Sequence, residues 1–233
     1  MRFLLGAMLM AAMAVGPPAL GITINDTVGD VVVPGSPFPH LDLSSVQVTN
    51  TATDLVFKLN LAGDPVATDW GKYMVGIDSV AGGDTAGNGW GRPISMSSGM
   101  DYWLGSWVDS GNGMEVRNWD GAAWQLYAAS YNAIPPLAVP TKDSSSVTLT
   151  VPLAYLGLGV GDVFLFDVYS SGGGGGDSAV DALGNPNPSI NDWGGPYDTG
   201  NNIRTYRVVP EPASVALVGL AGLAVLGIAR RRK

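Results

Sequence analysis

The stretch DLVFKLNLA, Asp54–Ala62, decides the fold. Leu55, Phe57, Leu59 and Leu61 fall on one side of an extended chain, and Asp54, Val56, Lys58 and Asn60 fall on the other. Successive side chains in a strand point to opposite faces, so this alternation is that of a half-buried β-strand. SVQVTNT (Ser45–Thr51) and SVTLTVP (Ser146–Pro152) alternate in the same way. YMVGID (Tyr73–Asp78) and DVFLFDVY (Asp162–Tyr169) are nearly continuous apolar runs, as expected of central strands covered on both faces. DYWLGSWV, MEVRNW and AAWQLYAASY add strands rich in aromatic residues, and IRTYRVV (Ile203–Val209) reads as the last strand.

Gly, Asn, Asp and Pro separate these segments, and helical periodicity is confined to the two ends of the chain, apart from one short turn within Pro152–Asp162. The pattern predicts an all-β fold, an antiparallel β-sandwich of jelly-roll or immunoglobulin-like type with about 8 to 10 strands. Ser170–Pro196, with its run of five glycines, reads as a long and partly flexible surface loop before the last strand.

The ends have a separate logic. Arg2 followed by the apolar run Phe3–Val15, a Pro17–Pro18 break and the small residues Ala19 and Gly21 has the layout of a signal peptide. The reading is a signal helix over residues 1–21, cut after Gly21 or a few residues earlier, and an exported domain over residues 22–209. At the other end, Ala213–Ala229 is a run of seventeen residues without a charge. As a helix it would be roughly 25 Å long, the short end of what spans a bilayer. Arg230, Arg231, Arg232 and Lys233 follow it, and positive residues stay on the cytoplasmic side. A signal in front and a stop-transfer helix behind place the domain outside the inner membrane. The partners this route implies are the secretion translocon, signal peptidase and the inner membrane itself.

Pro210, Glu211 and Pro212 stand directly before the apolar run. The two prolines hold the backbone extended and out of a helix, which presents a stiff peptide carrying one charge at the membrane surface. Pro-Glu-Pro, a short apolar helix and an Arg-rich end, in that order behind a signal peptide, resemble the bacterial PEP-CTERM sorting signal. The resemblance covers residues 210–233. It implies recognition by an exosortase, processing near the motif, and delivery to the cell surface or extracellular matrix of a Gram-negative bacterium that makes exopolysaccharide.

Charge and composition narrow what the exported domain does. It carries eighteen Asp, one Glu (Glu115) and seven basic residues. A surface this negative repels phosphate backbones, so no nucleic-acid partner is expected. There is no cysteine, which excludes disulfides, thiolate metal sites and cysteine nucleophiles. The sole histidine, His40, lies in the Pro-rich stretch SPFPHLDL and reads as exposed and idle. A catalytic triad would have to use it, and no Gly-x-Ser-x-Gly element is present. The expectation is a protein that is not an enzyme, with no catalytic residue assigned.

Two residue sets remain as candidate sites. Asp26 and Asp30 in NDTVGD, and Asp177 and Asp181 in GGGGGDSAVDALG, offer carboxylate oxygens of the kind calcium takes, although aspartates also suit turns. Calcium is thus the one cofactor candidate. Trp90 in GNGWGRP and Trp193 in NDWGGP sit in Gly-rich loops, where an exposed ring can stack on the apolar face of a sugar. Trp103 and Trp107 share a strand face and suit either core or site. The body also resembles the DOMON-like and CBM9-like carbohydrate-binding sandwiches, through INDTVGD, the strand pair LDLSSVQVTNTATDLVFKLNLAGD, YMVGID and VTLTVPLAYLG. That resemblance implies a β-sandwich that binds sugar, haem or no small ligand, and no convincing axial His or Met pair supports haem. The combined expectation is a surface or matrix protein whose sandwich binds glycan, with exopolysaccharide as a partner. The alternatives are a purely structural matrix component and, behind it, a secreted hydrolase.

Overall fold

A computed structural model of the chain describes residues 21–131, 135–184 and 192–210. The expected signal segment, save Gly21, and the tail from Glu211 onward, with the expected span Ala213–Ala229, lie outside the described residues. Among the described residues no helix is long and apolar enough to cross a membrane.

The described residues form fourteen strands, four of them two-residue pieces. The first half contains β1 (Ile22–Asn25), β2 (Leu43–Asn50), β3 (Asp54–Leu61), β4 (Lys72–Asp78), β5 (Ile94–Ser95), β6 (Tyr102–Trp107) and β7 (Gly113–Trp119). The second half contains β8 (Trp124–Ala129), β9 (Thr141–Lys142), β10 (Ser146–Pro152), β11 (Val163–Ser171), β12 (Asp181–Ala182), β13 (Tyr197–Asp198) and β14 (Arg204–Arg207). A single 3-10 turn, Leu153–Leu156, follows β10 and ends on Gly157 in the left-handed conformation, which glycine adopts without strain.

Two antiparallel sheets face each other. One has the order β1-β2-β3-β10-β9, and the other the order β12-β11-β4-β6-β7-β8 with β14 also paired to β11. The expected sandwich is therefore present, and the apolar runs that suited central strands are β4 and β11 of the larger sheet. Val48, Phe57 and Leu149 are aligned across β2, β3 and β10 on the inner face of the smaller sheet. They meet Val75, Ile77, Phe166 and Val168 from the larger sheet, with the Phe57 and Phe166 rings 5.6 Å apart. Each such side chain contributes about 1.5–3 kcal/mol when fully buried, so this inner layer holds the two sheets together.

The outer face of the larger sheet is also covered. Met74, Trp103 and Tyr169 point away from the inner core and pack under the connections that carry Val33 and the short strands β5 and β13, with Ile94 and Tyr197. Trp103 stacks on Tyr169 at 5.8 Å and is fully buried. Sequence periodicity does not reveal this third layer, because its apolar residues come from irregular segments. The segment expected as a surface loop belongs partly to it. Ser178–Leu183 is buried and folds back as β12 against Tyr169 and Ser170 of β11. Ala179, Val180, Ala182 and Leu183 supply enough apolar surface to draw it in. Residues 185–191 of that segment lie outside the described residues. His40 is likewise buried rather than exposed. Its ring lies 4.4 Å from that of Trp70, and its carbonyl accepts the Tyr73 hydroxyl.

The two ends of the domain meet at one end of β2. Gly21 lies so close to Val48 and Thr49 that a Cβ there would sit 2.3 Å from Thr49 Cγ2. Asn50 clasps Val209, donating from Nδ2 to its carbonyl and accepting its N–H at Oδ1, while the Tyr206 hydroxyl donates to the same Oδ1. Both exits thus leave from one end of the sandwich. The opposite end carries the start of β4 and the ends of β6 and β11.

Candidate functional site

At the end remote from the exits, two open hollows lie side by side. Lys72, Trp90, Arg92, Trp107, Asp109 and Gly173 line the first, with a volume of about 380 Å³. Phe38, Trp70, Gly174, Asp177 and Trp193 line the second, with a volume of about 420 Å³. Gly173 and Gly174 are chain neighbours, so the turn after β11 is the ridge between the hollows.

The sheet itself positions the tryptophans of the first hollow. Trp103, Gly105 and Trp107 alternate onto the outer face of β6. The Trp90 ring covers Gly105, where a Cβ would lie 2.2 Å from Trp90 Cζ2. Trp107 covers Gly113, its partner across the β6–β7 pair, in the same way, with 1.9 Å to Cζ2. An aromatic ring laid over a strand glycine replaces the missing side chain and keeps the ring flat against the sheet. Trp90 Nε1 and Arg117 Nε both donate to Glu115 Oε1, and the Tyr131 hydroxyl donates to Glu115 Oε2. Lys72 Nζ bridges Asp109 Oδ2 at 3.0 Å and the Trp70 carbonyl at 3.3 Å.

Arg92 is the strut between the hollows. It is 6% exposed, and it donates to Ser171 Oγ at 2.7 Å, to the Asp177 carbonyl at 2.8 Å and to the Gly172 carbonyl at 3.3 Å. Its guanidinium carbon lies 5.5 Å from the centre of the Trp90 ring. In the second hollow Phe38, Trp70 and Trp193 form a triangle with ring separations of 5.2 to 6.1 Å. Trp193 Nε1 donates to the Pro34 carbonyl. All four groove tryptophans are half-buried.

Trp90 and Trp193, singled out from the sequence, thus fall in adjoining hollows. Of the pair that suits either core or site, Trp107 lines the first hollow and Trp103 is core, and Trp70, for which the sequence carries no signal, joins the second hollow. The signal for Trp107 is its register: a tryptophan in one strand of a hairpin facing a glycine in the other.

The aspartates divide differently from the sequence grouping. Asp177 stands apart from the other three. Its Oδ2 accepts the Gly174 N–H, and its carbonyl holds Arg92. Asp26, Asp30 and Asp181 converge, and Asp42 joins them. One oxygen from each of Asp30, Asp42 and Asp181 lies within 4.8 Å of the others. Asp26 is close enough that the charge of Asp30 acts on it and that its own charge acts on Asp181. Burial, with repulsion from neighbouring carboxylates, pushes Asp26 up to about 7 and Asp30 up to about 6 and raises Asp181, and burial raises Asp42. Asp42 went unassigned because it looks like the polar flank of a strand. Closure of β2 on β12 brings it in, and the Leu43 N–H donates to Asp181 Oδ2 across 138 positions of sequence.

The sorting residues Glu211 and Pro212 and the basic end Arg230–Lys233 lie outside the described residues, and Pro210 is the last described residue before them. The family model of the PEP-CTERM protein-sorting motif matches residues 208–233. Neither a curated protein nor a solved structure matches the chain.

Proposed function

We propose that this chain, an exported protein carrying a PEP-CTERM sorting motif that an exosortase recognises, uses its sandwich to bind extracellular polysaccharide along the two-hollow groove, without catalysing a reaction. The observation that carries this reading is the set of tryptophans in the groove. Trp90 and Trp107 are held flat over glycines, and Trp70 and Trp193 stand beyond the Gly173–Gly174 ridge. Sugar rings stack their C–H faces on such platforms, while Lys72, Asp109 and Asp177 offer a donor and acceptors for hydroxyls. Two hollows in line suit consecutive sugar residues of a chain.

The position of the groove supports the same reading. β11 runs from Val163, beside the end where the tail leaves, to Ser171 at the groove, about 25–30 Å away. A chain delivered through the translocon, trimmed by signal peptidase and held at the inner membrane by its tail would present the groove outward. After sorting, the same face would meet exopolysaccharide at the cell surface or in the matrix. The non-enzymatic reading draws support from His40, whose Nε2 is buried without a partner and whose pKa burial lowers. It draws support also from Glu115, whose two oxygens are taken by Trp90, Arg117 and Tyr131.

The test is affinity electrophoresis of the purified chain in gels containing the host's exopolysaccharide. Retardation that is lost in Trp193→Ala and in Trp107→Ala, run at a temperature at which circular dichroism shows each variant still folded, is expected. An unretarded wild-type chain would refute glycan binding and leave a purely structural matrix component.

A further inference from the structure

We propose that Asp26, Asp30, Asp42 and Asp181 form a calcium site that ties the β1–β2 connection to both sheets. Asp26 and Asp30 come from the segment after β1, Asp42 immediately precedes β2 of the smaller sheet, and Asp181 opens β12 of the larger one. Acidic residues together do not make a site, and the decisive feature is what their oxygens lack. Asp42 is 5% exposed, yet its Oδ1 is buried with no hydrogen-bond partner. Asp26 Oδ2 and both carboxylate oxygens of Asp30 are in the same condition. A buried polar atom without a partner costs about 1–3 kcal/mol, and more when it is charged, so the unpartnered oxygens of Asp30 and Asp42 within one cluster, with that of Asp26 beside it, call for a positive centre.

The geometry suits calcium. Oxygens that bind one calcium ion at about 2.3–2.6 Å lie within roughly 5 Å of each other, which agrees with the 4.8 Å span of the Asp30, Asp42 and Asp181 oxygens. The remaining oxygens are oriented by the backbone. Thr27 N–H donates to Asp26 Oδ1, Gly29 N–H to Asp42 Oδ2, and Leu43 and Ala182 N–H to the two oxygens of Asp181. Each carboxylate except that of Asp30 is thus fixed by the main chain. A bulge between Leu43 and Ser45 of β2 lies directly beside the cluster, where it re-aims the start of the strand. Arg204 acts on Asp26 and supplies one positive charge nearby, against four carboxylates.

The ligand type excludes close competitors. Zinc in proteins favours His and Cys, and none of the four is either. Magnesium sheds its water reluctantly and holds several molecules in octahedral geometry, whereas these oxygens are buried and come from an irregular loop. A divalent cation held among these buried carboxylates would be the largest local charge and would offset both their burial and their mutual repulsion.

The experiment uses the full chain in detergent, stripped with a chelator and then titrated with calcium chloride alone, by calorimetry and by thermal unfolding. Calcium at about a hundredfold excess over its dissociation constant is expected to raise the unfolding midpoint by about 5–10 °C. Asp42→Asn and Asp181→Asn are expected to bind about tenfold more weakly or worse. The wild-type measurement decides the matter even if a variant fails to fold. No heat and no midpoint shift with calcium, an equal shift with magnesium chloride, or undiminished binding by Asp42→Asn would each overturn the assignment.

Discussion

Gly105→Ala tests the platform on which the groove rests. The added methyl carbon would sit 2.2 Å from Trp90 Cζ2 and 2.3 Å from Cε2. Carbon atoms pack no closer than about 3.5–4.0 Å, so the indole must withdraw by roughly 1.3–1.8 Å. The backbone at 105 lies outside the left-handed region, so the strain falls on the ring rather than on the strand. Overpacking of this kind costs about 1–3 kcal/mol. The moving ring also loosens the Nε1 bond to Glu115 and the contact with Arg92, the second worth about 0.5–1 kcal/mol. For a domain of this size about 1 kcal/mol shifts the unfolding midpoint by roughly 2–4 °C, so a fall of about 3–16 °C is expected. Differential scanning fluorimetry gives the midpoint, and tryptophan emission reports the newly solvated indole. Gly175→Ala is the control, because nothing lies within 4 Å of a Cβ there. A Gly105→Ala chain with the wild-type midpoint and emission spectrum would refute the packing of Trp90 on β6.

Further outcomes follow from the hydrogen bonds. Asn50→Ala strips the clasp on Val209 and the acceptor of the Tyr206 hydroxyl, and is expected to destabilise by about 2–4 kcal/mol. Hydrogen exchange should then rise first in β14, and unchanged protection there would refute the clasp. Asp120 in the β7–β8 turn accepts the N–H groups of Ala122 and Ala123 and the Gln125 side chain, which lower its pKa. A lowered folded-state pKa means the folded chain binds fewer protons than the unfolded one. The stability this group gives is complete above the ordinary aspartate value and is lost as pH falls through the folded value. Urea midpoints of wild type and Asp120→Ala should therefore differ at pH 7 and converge in strong acid. A gap that stays constant with pH would show that the carboxylate charge plays no part in the turn.

The strands were legible because their physics is local. In β3 and β10, alternation alone assigns the face, and the burial of Leu55, Phe57, Leu59 and Leu61 follows it residue by residue. The continuous runs of β4 and β11 signalled burial on both faces, and each is covered on both. The outer layer was not legible. Ala179 and Val180 follow five glycines, and no period marks them as core, because their burial depends on where β11 places them. The candidate sites show in the sequence only in part. Asp26, Asp30 and Asp181 were visible as residue types, but Asp177 was grouped with Asp181 by spacing along the chain, whereas the fold separates them. Asp42 and Trp70 owe their positions to contacts between distant segments, which one sequence does not display. His40 was misjudged because the prolines around it suggest an exposed loop, while Phe38 and Trp70 in fact enclose its ring.

The clasp of Asn50 on Val209 has a mechanical consequence. A pull on the tail reaches the body by two routes, along the main chain into β14 and its four paired positions on β11, and through the Asn50 side chain into β2 and its seven paired positions with β3. Tension directed along those strands would shear many bonds at once instead of peeling them one at a time. The body should therefore resist being dragged by whatever holds its C-terminus, and release should come from cutting the chain beyond Val209 rather than from unravelling the sheet.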